Sequence, residues 1–408
     1  MSAPPQSPAF TGHEDFDPRT VDLDALAREL AEIRRDLDAD VGTDDVAHLK
    51  KIERWGRTCS LLGYGTAWLA PNPLSAMLIS QGLLTRWLLM HHISHRGYDR
   101  VDGLPEAYTS KRFGRGWRRM VDWMDWILPE AWHEEHDFLH HYNLGEDKDP
   151  DLLERNAAWM KEKDLPPWLR KIMIGGLATS WKWFYYAPST LDALRQARSR
   201  RTNTTDQGPA SLLNPLSSGG RELWKRSILP HAAWRFGAIP ALYAPLGPMA
   251  VTNVLLNSLG AELINNLHSF LIIGPNHTGD DLYRFDEPIS SREEFYLRQI
   301  VGSANYQTGS DGGDWLQMWL NYQIEHHIWP DLTMLQYQKA QPRVQALCQR
   351  LGIPYVQQSV FRRFVKMWDV LTGDASMRRV ANLAGGEASR SSKGASKAGA
   401  TPASDAAA

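Results

Sequence analysis

The stretch Asn321-Tyr-Gln-Ile-Glu-His-His-Ile-Trp-Pro330 contains two adjacent histidines, His326 and His327, in a largely apolar context. Neighbouring residues of an α-helix point about 100° apart, so such a pair can serve two different ions. The sequence has 14 histidines, and all except His13, His48 and His231 lie in four short stretches. These stretches contain His91, His92 and His95; His133, His136, His140 and His141; His268 and His277; and His326 with His327.

The spacing within these stretches is that of metal ligands. Residues i and i+4 share a helix face, so His91 with His95, and His136 with His140, can each chelate one ion. Neutral imidazole binds iron, zinc, copper and nickel, so the spacing alone does not select the metal. The alternative is a solvated histidine surface, but clustered histidines without a metal would repel on protonation and leave nitrogens unsatisfied. We therefore predict a shared dinuclear metal centre.

The bulk composition is that of an ordinary soluble protein, with a net charge of −2, 23% charged residues and a mean hydropathy of −0.42. This balance creates no field that would attract a polyanion, so no nucleic-acid partner is expected. Cys59 and Cys348 lie far apart in the sequence, which indicates neither a disulfide framework nor a thiolate metal site. The 17 tryptophans, many of them near Arg or Lys, instead favour a membrane interface.

Hydrophobic residues are concentrated in two regions of the chain, so a polar average composition is compatible with a membrane protein. Residues 58–85 contain no charged residue or histidine and are interrupted at Pro71 and Pro73. A second hydrophobic region, 228–273, is interrupted by prolines near its middle. Each region predicts a helical hairpin that enters and leaves the bilayer. The predicted spans are 58–70, 74–91, 228–246 and 249–273, and an interfacial helix is predicted over 168–188.

The predicted fold is an all-α integral membrane protein, in which two transmembrane helical hairpins (four spans) carry a helical cytosolic cap that holds the histidine-rich di-metal site. This domain would cover residues 56–375, with the active site and both termini on the cytoplasmic side. Residues 1–20 are expected to be disordered, and 21–55 to form an amphipathic helix because leucines recur there at helical spacing. Residues 380–408 predict a low-complexity, disordered tail.

From about Ser60 to Tyr355 the sequence resembles the membrane fatty acyl desaturase superfamily, whose members carry three histidine boxes. His91-x3-His95 is similar to the first box, and His136-x3-His140-His141 to the second. Gln323-x2-His326-His327 is similar to the third box, in which a Gln in place of the first His marks the front-end (delta-6-like) type. The dipeptide Asn276-His277 resembles an extra histidine that this family places outside the boxes.

The resemblance implies two non-haem iron ions, with the di-iron centre itself as the catalytic group and O2 as co-substrate. The activity implied is insertion of a double bond into an acyl chain with O2 and two electrons, with no separate acid or base assigned. His92, His133 and His268 are additional, either as direct ligands or as neighbours that orient ligands. The implied ligands are His91, His95, His136, His140, His141, His277, Gln323, His326 and His327.

The resemblance also implies partners and leaves alternatives open. The substrate would be a fatty acyl lipid or an acyl-CoA. The sequence lacks the His-Pro-Gly-Gly signature of a fused cytochrome b5, so a separate donor is expected, either ferredoxin or cytochrome b5 with its reductase. One alternative keeps the metal centre in a hydroxylase or in a sphingolipid- or carotenoid-modifying oxygenase. A more remote one is a membrane protein that binds metal without catalysis.

Overall fold

The computed structural model describes residues 16–203, 209–381 and 383. The disorder predicted for the two ends of the chain therefore falls largely outside the described residues. The described chain is mostly helical, with one two-stranded parallel sheet in which β1 (Tyr283–Phe285) pairs with β2 (Arg378–Val380). Its first helices are α1 (Leu23–Ala39), α2 (Thr43–Ala67), α3 (Pro73–Ser94), α4 (Arg119–Asp122), α5 (Pro129–Trp132), α6 (Leu153–Ala157), α7 (Trp159–Glu162), α8 (Pro167–Ala178) and α9 (Ala187–Thr202).

The described chain contains both long helices and short helical pieces. Four segments are π-helical, with wider turns than an α-helix, namely His133–His140, Lys182–Tyr186, Trp224–Ile228 and Ala233–Ala238. The remaining α-helices are α10 (Ser218–Leu223), α11 (Leu229–Ala232), α12 (Ile239–Ala241), α13 (Pro248–Ile273), α14 (Arg292–Val301), α15 (Asp311–Gln317), α16 (Gln323–Ile328), α17 (Met334–Leu351) and α18 (Val360–Thr372).

The segment 21–55 forms two helices, where one amphipathic helix was predicted. The side chain of Asp22 accepts a hydrogen bond from the backbone of Ala25 and so starts α1, which buries its leucines against α14 and α17. The helix ends at Ala39, and Asp40 caps it. Gly42 then donates its backbone N–H to the Asp45 carboxylate. This hydrogen bond caps the start of α2, so a second helix begins here and the first does not continue.

Helices α2 and α3 form a closely packed hairpin that positions the first histidines. Asn72 caps α3 by accepting a hydrogen bond from the backbone of Ser75 at 2.8 Å, and Pro73 occupies its first turn. A Cβ atom at Gly63 would lie 2.8 Å from the Ile79 side chain, so only glycine permits this approach. Helix α3 also packs against α13, and its C-terminal end carries His91 and His95.

None of the helices in the described part of the chain is both long enough and apolar enough to cross a membrane. The prediction of two transmembrane hairpins, with spans 58–70, 74–91, 228–246 and 249–273, is therefore wrong. Charged residues run through the first half of α2, and 228–246 is divided into short α- and π-helical pieces. Helix α13 buries Asn257, Glu262 and Asn266 along its length. The cellular placement of the site and of both termini stays a prediction.

The buried polar residues of α13 form a charged network with the preceding helices. The Glu262 carboxylate accepts a hydrogen bond from Trp126 Nε1 at 2.9 Å and lies 3.3 Å from His231 Nε2 and 3.5 Å from Arg235 Nε. Burial alone would raise the pKa of Glu262, but its bond with His231 and the nearby positive charges lower the pKa to about 2. The carboxylate is therefore ionised inside the fold.

Candidate metal centre

The histidines of the candidate site converge from four parts of the chain. The C-terminal end of α3 provides His91 and His95, and α16 provides His326 and His327. His277 follows the short 3-10 helix Gly274–Asn276 at the end of α13. The π-helix His133–His140 and the residue after it provide the rest.

The π-helical turn of the segment His133–His140 determines which of its histidine side chains come into contact with His141. The backbone N–H of His141 donates to the carbonyl of His136, five residues earlier, as in a π-helix. This wider turn brings His136 and His141 together, with their Nε2 atoms 3.2 Å apart. The pair predicted from α-helical spacing, His136 and His140, also lies close enough to share an ion, together with Asp151.

Two groups of imidazoles emerge, and each is able to hold an ion. Within each group, the possible ligand atoms all lie within 4.8 Å of one another. The ring of His141 lies between the groups, with its centroid 4.6 Å from that of His95 and 4.3 Å from that of His327. The first group contains His91, His95, His136 and His326; the second contains His140, His277 and His327; and His136 and His140 also form a grouping with Asp151.

The distances between nitrogens fit metal binding. His91 Nε2 lies 3.0 Å from His326 Nε2. Two ligands of one metal, with bonds of about 2.1 Å at about 90°, have their nitrogens about 3 Å apart. Several buried ring nitrogens lack a hydrogen-bond partner in the described chain, among them His95 Nε2 and His327 Nε2. Buried imidazole nitrogens normally have a hydrogen-bond partner, so these atoms are able to bind a metal ion.

Three neighbouring side chains fix the orientation of imidazoles in these groups. Asp149 Oδ1 lies 2.8 Å from His140 Nδ1, and Gln299 Oε1 lies 2.9 Å from His327 Nδ1. The Tyr337 hydroxyl, which donates to the carbonyl of Pro330, lies 3.0 Å from His326 Nδ1. In each case the Nδ1–H group is the donor, so Nε2 keeps its lone pair for a metal.

The electrostatics of the site keep most of these imidazoles neutral. Burial, together with the neighbouring histidines, holds the pKa values of His91, His95, His136, His326 and His327 well below the ordinary value. Burial would also lower the pKa of His140, but the Asp149 carboxylate raises it above the ordinary value. Neutral imidazole is the form that binds metal.

The other sequence-predicted residues lie outside these two groups. Gln323 lies beside the second group, with its Nε2 2.9 Å from His277 Nε2, while its Oε1 accepts a hydrogen bond from Asn276. Three further histidines belong to neither group. His92 Nε2 lies 2.8 Å from the carbonyl of Met318, His133 is paired with Asp137, and His268 is hydrogen-bonded to the backbone of Leu316.

Two of the orienting side chains were missed by the sequence analysis. Gln299 belongs to α14 and Tyr337 to α17, 28 and 11 residues from the histidines that they contact. No spacing rule connects residues on separate helices. Other polar residues of these two helices are buried as well, so polarity alone does not mark Gln299 or Tyr337 in the sequence.

An apolar cavity of about 360 Å³ reaches both groups of histidines. His91 and His136 line it from the first group, and His140 and His277 from the second. The Trp132 ring, also in the wall, stacks on His136 with centroids 4.3 Å apart. The remaining wall is mostly aromatic and aliphatic, including Trp87, Leu88, Met160, Ile174, Leu177, Trp181, Tyr186, Phe270 and Ile273.

By its fold and site, this chain is a helical protein that surrounds a buried polyhistidine site. The site is able to hold metal ions and lies beside an apolar cavity. The fatty acid desaturase family model matches residues 66–359, and the chain belongs to this family. A 368-residue match at 25% identity, covering 86% of this chain and 79% of the relative, is to an NADPH-dependent stearoyl-CoA 9-desaturase of Mycobacterium tuberculosis (strain H37Rv).

Shorter matches connect the chain with desaturases of other names. An acyl-lipid (9-3)-desaturase of Physcomitrium patens is 31% identical over 148 residues, 36% of this chain and 25% of the relative. A Delta(6)-fatty-acid desaturase of Caenorhabditis elegans is 31% identical over 142 residues, 34% of this chain and 29% of the relative. The resemblance to the superfamily is thus confirmed, whereas the front-end type is not.

Proposed function

We propose that this protein is an oxidoreductase that inserts a double bond into a fatty acyl chain at a non-haem di-iron centre. The overall change converts –CH2–CH2–, O2, two electrons and two protons into –CH=CH– and two water molecules. The single observation that supports this most is the apolar cavity whose wall includes histidines of both metal-binding groups. It would place a hydrocarbon directly beside the metal ions.

The cavity wall suits an acyl chain by its chemistry. Burying apolar surface contributes about 0.8 kcal/mol for each CH2 group, so the aromatic and aliphatic wall would bind a hydrocarbon without charged contacts. Trp132 lies beside His91 and stacks on His136, so it would hold the chain close to the first group while excluding water. Two polar residues of the wall, Asp151 and Gln323, lie beside its histidines.

We propose as ligands the histidines of the two groups together with His141, with Gln323 beside them. Imidazole donors suit iron, and the unpartnered nitrogens give it places to bind. When bound, the two irons would supply the O2-derived oxidant that unactivated C–H bonds require. The contribution of this chain is to hold the imidazoles neutral, to fix their tautomers through Asp149, Gln299 and Tyr337, and to place the hydrocarbon.

Two features of the proposal concern partners and the position of the new bond. The two electrons would come from a separate ferredoxin or cytochrome b5 with its reductase. Front-end, delta-6-like insertion is supported by Gln323 in the third box and by the name of the nematode relative, a Delta(6)-fatty-acid desaturase. The name of the mycobacterial relative points instead to position 9. Mapping the double bond of the product decides between them.

The proposal is tested by expressing the chain in a host that lacks its own desaturase, with and without a ferredoxin and its reductase. Total fatty acids are then profiled by mass spectrometry. We expect a new double bond that disappears in His140→Ala and His327→Ala and persists in the control His268→Ala. A hydroxylated product would overturn desaturation in favour of a hydroxylase. An unchanged profile from folded, iron-containing protein with its donor would overturn the proposed enzyme.

A further inference from the structure

The histidine cluster is reached from a second space, separate from the apolar cavity. A cleft of about 690 Å³ is lined by His95 and His141, whereas the apolar cavity is lined by His91, His136, His140 and His277. The two spaces share no lining residue. Different histidines of the same cluster therefore face two different environments.

The chemistry of the cleft differs from that of the apolar cavity. Three arginines and two aspartates line it, so its charge is positive even when its histidines are neutral. Arg34 is paired with Asp331, and Asp137 with His133. Arg96 and Arg292 are exposed at the rim and supply the excess positive charge.

Aromatic side chains extend this basic rim. Phe138 is 47% exposed and Tyr142 is 62% exposed, and both line the cleft. Exposed aromatic and arginine side chains together are characteristic of protein interfaces. The floor, formed in part by His95 and His141, is the part of the cleft that belongs to the histidine cluster.

We propose that this cleft is the docking surface for an acidic one-electron carrier protein, which uses it to reduce the metal centre. This inference rests on the proposed function, since each turnover needs two electrons and therefore two successive reductions by such a carrier. The carrier must approach while the acyl chain occupies the other cavity, and the separation of the two spaces allows both to be bound together. Charge complementarity would steer the carrier to Arg96 and Arg292.

The test measures binding of a plant-type [2Fe–2S] ferredoxin, which is an acidic carrier, to the full-length iron-loaded chain by calorimetry at low salt. We expect R96E/R292E to weaken binding about tenfold or more, with R96Q/R292Q intermediate. The control R54E/R362E changes two exposed arginines that line neither cavity, and it should bind as the parent does. Parent affinity should also fall as salt rises. Equal affinity in R96E/R292E, R54E/R362E and the parent would overturn the proposal.

A second measurement separates failure of this proposal from failure of the proposed function. Ferredoxin-driven turnover is compared with a single turnover of protein reduced by dithionite before O2 is added. If R96E/R292E loses only the ferredoxin-driven rate, the docking surface is supported. If dithionite-reduced protein yields the product but R96E/R292E binds ferredoxin as well as the parent does, the proposed docking surface is rejected and the proposed desaturase function is retained. If binding changes as expected but no route yields a product, the docking surface stands and the proposed function fails.

Discussion

His327 donates its Nδ1–H to Gln299 Oε1 across 2.9 Å, and this bond determines which nitrogen of the imidazole faces the cluster. The amide is oriented by its other end, because Gln299 Nε2 donates to the backbone carbonyl of His141. An amide oxygen can only accept, so the proton resides on Nδ1. The Nε2 atom of His327 is left buried, with its lone pair unpartnered within the described chain.

Gln299→Leu should weaken iron binding. Without the acceptor, the His327 ring is free to rotate and to change tautomer, and loss of such a partner lowers metal affinity by about 10- to 100-fold. Iron retained after competition with a chelator, measured by mass spectrometry, checks this. Gln349→Leu, at an exposed position of α17, is the matched control. Equal iron retention by the two variants would show that the contact does not orient a ligand.

His140→Ala should lose iron, whereas His268→Ala should keep it. His140 belongs to the second group, while His268 belongs to neither group and is hydrogen-bonded to the backbone of Leu316. Iron content for each protomer is compared after purification, with circular dichroism as the check on folding. Retention of all iron by His140→Ala, or loss of iron from His268→Ala, would contradict this assignment.

Ala157→Phe should lower activity on long acyl chains. Ala157 lines the apolar cavity, and a phenyl group there would occupy space needed by the hydrocarbon. We expect kcat/KM for an 18-carbon chain to fall about tenfold or more, with a smaller effect on shorter chains and no loss of iron. Ala158→Phe, one residue further on and outside the cavity wall, is the control. Equal effects on all chain lengths would argue against occupation of this cavity.

Glu262 should make stability depend on pH in the acid range. Its pKa is lowered to about 2 from an ordinary value of 4.5, so ionised Glu262 stabilises the fold above about pH 4.5. This contribution, about 3 kcal/mol, is lost as the pH falls from about 4.5 to about 2. Chemical denaturation across this range measures it.

The variant Glu262→Gln should lose that pH dependence. It should also reduce the free energy of unfolding at neutral pH by about 3–5 kcal/mol, because Arg235 is left as a buried charge without its carboxylate. Glu32→Gln, at an exposed position of α1, is the control. If Glu262→Gln unfolds with the pH dependence of the parent, the buried network does not have the stabilising role described above.

The sequence predicted which histidines gather, but their grouping depends on backbone geometry that spacing cannot show. His91 and His95 share a group because α3 is regular up to its end. His136 joins them, while His140 lies with His277 and His327. The π-helical turn brings His136 close to His141, and such a turn leaves no periodic pattern in the sequence.

The membrane spans were predicted wrongly because hydrophobic runs were interpreted without their polar partners. The run 249–273 contains Asn257, Glu262 and Asn266, and each makes hydrogen bonds inside the fold. The run 228–246 contains Pro230 and Pro240, and its helix is divided into short pieces. Partners from distant parts of the chain, here the Trp126 side chain and the backbone N–H of Lys182, cannot be read from one stretch of sequence.

The central claim is that an acyl chain beside this histidine cluster loses two hydrogens to an O2-derived oxidant and gains no oxygen. The most direct test supplies perdeuterated stearoyl-CoA or a perdeuterated stearoyl phospholipid, with ¹⁸O2 and reduced ferredoxin, to iron-loaded protein. The account predicts a mono-unsaturated product that has lost two deuterium atoms and carries no ¹⁸O. A product that retains an ¹⁸O-labelled hydroxyl group would contradict it.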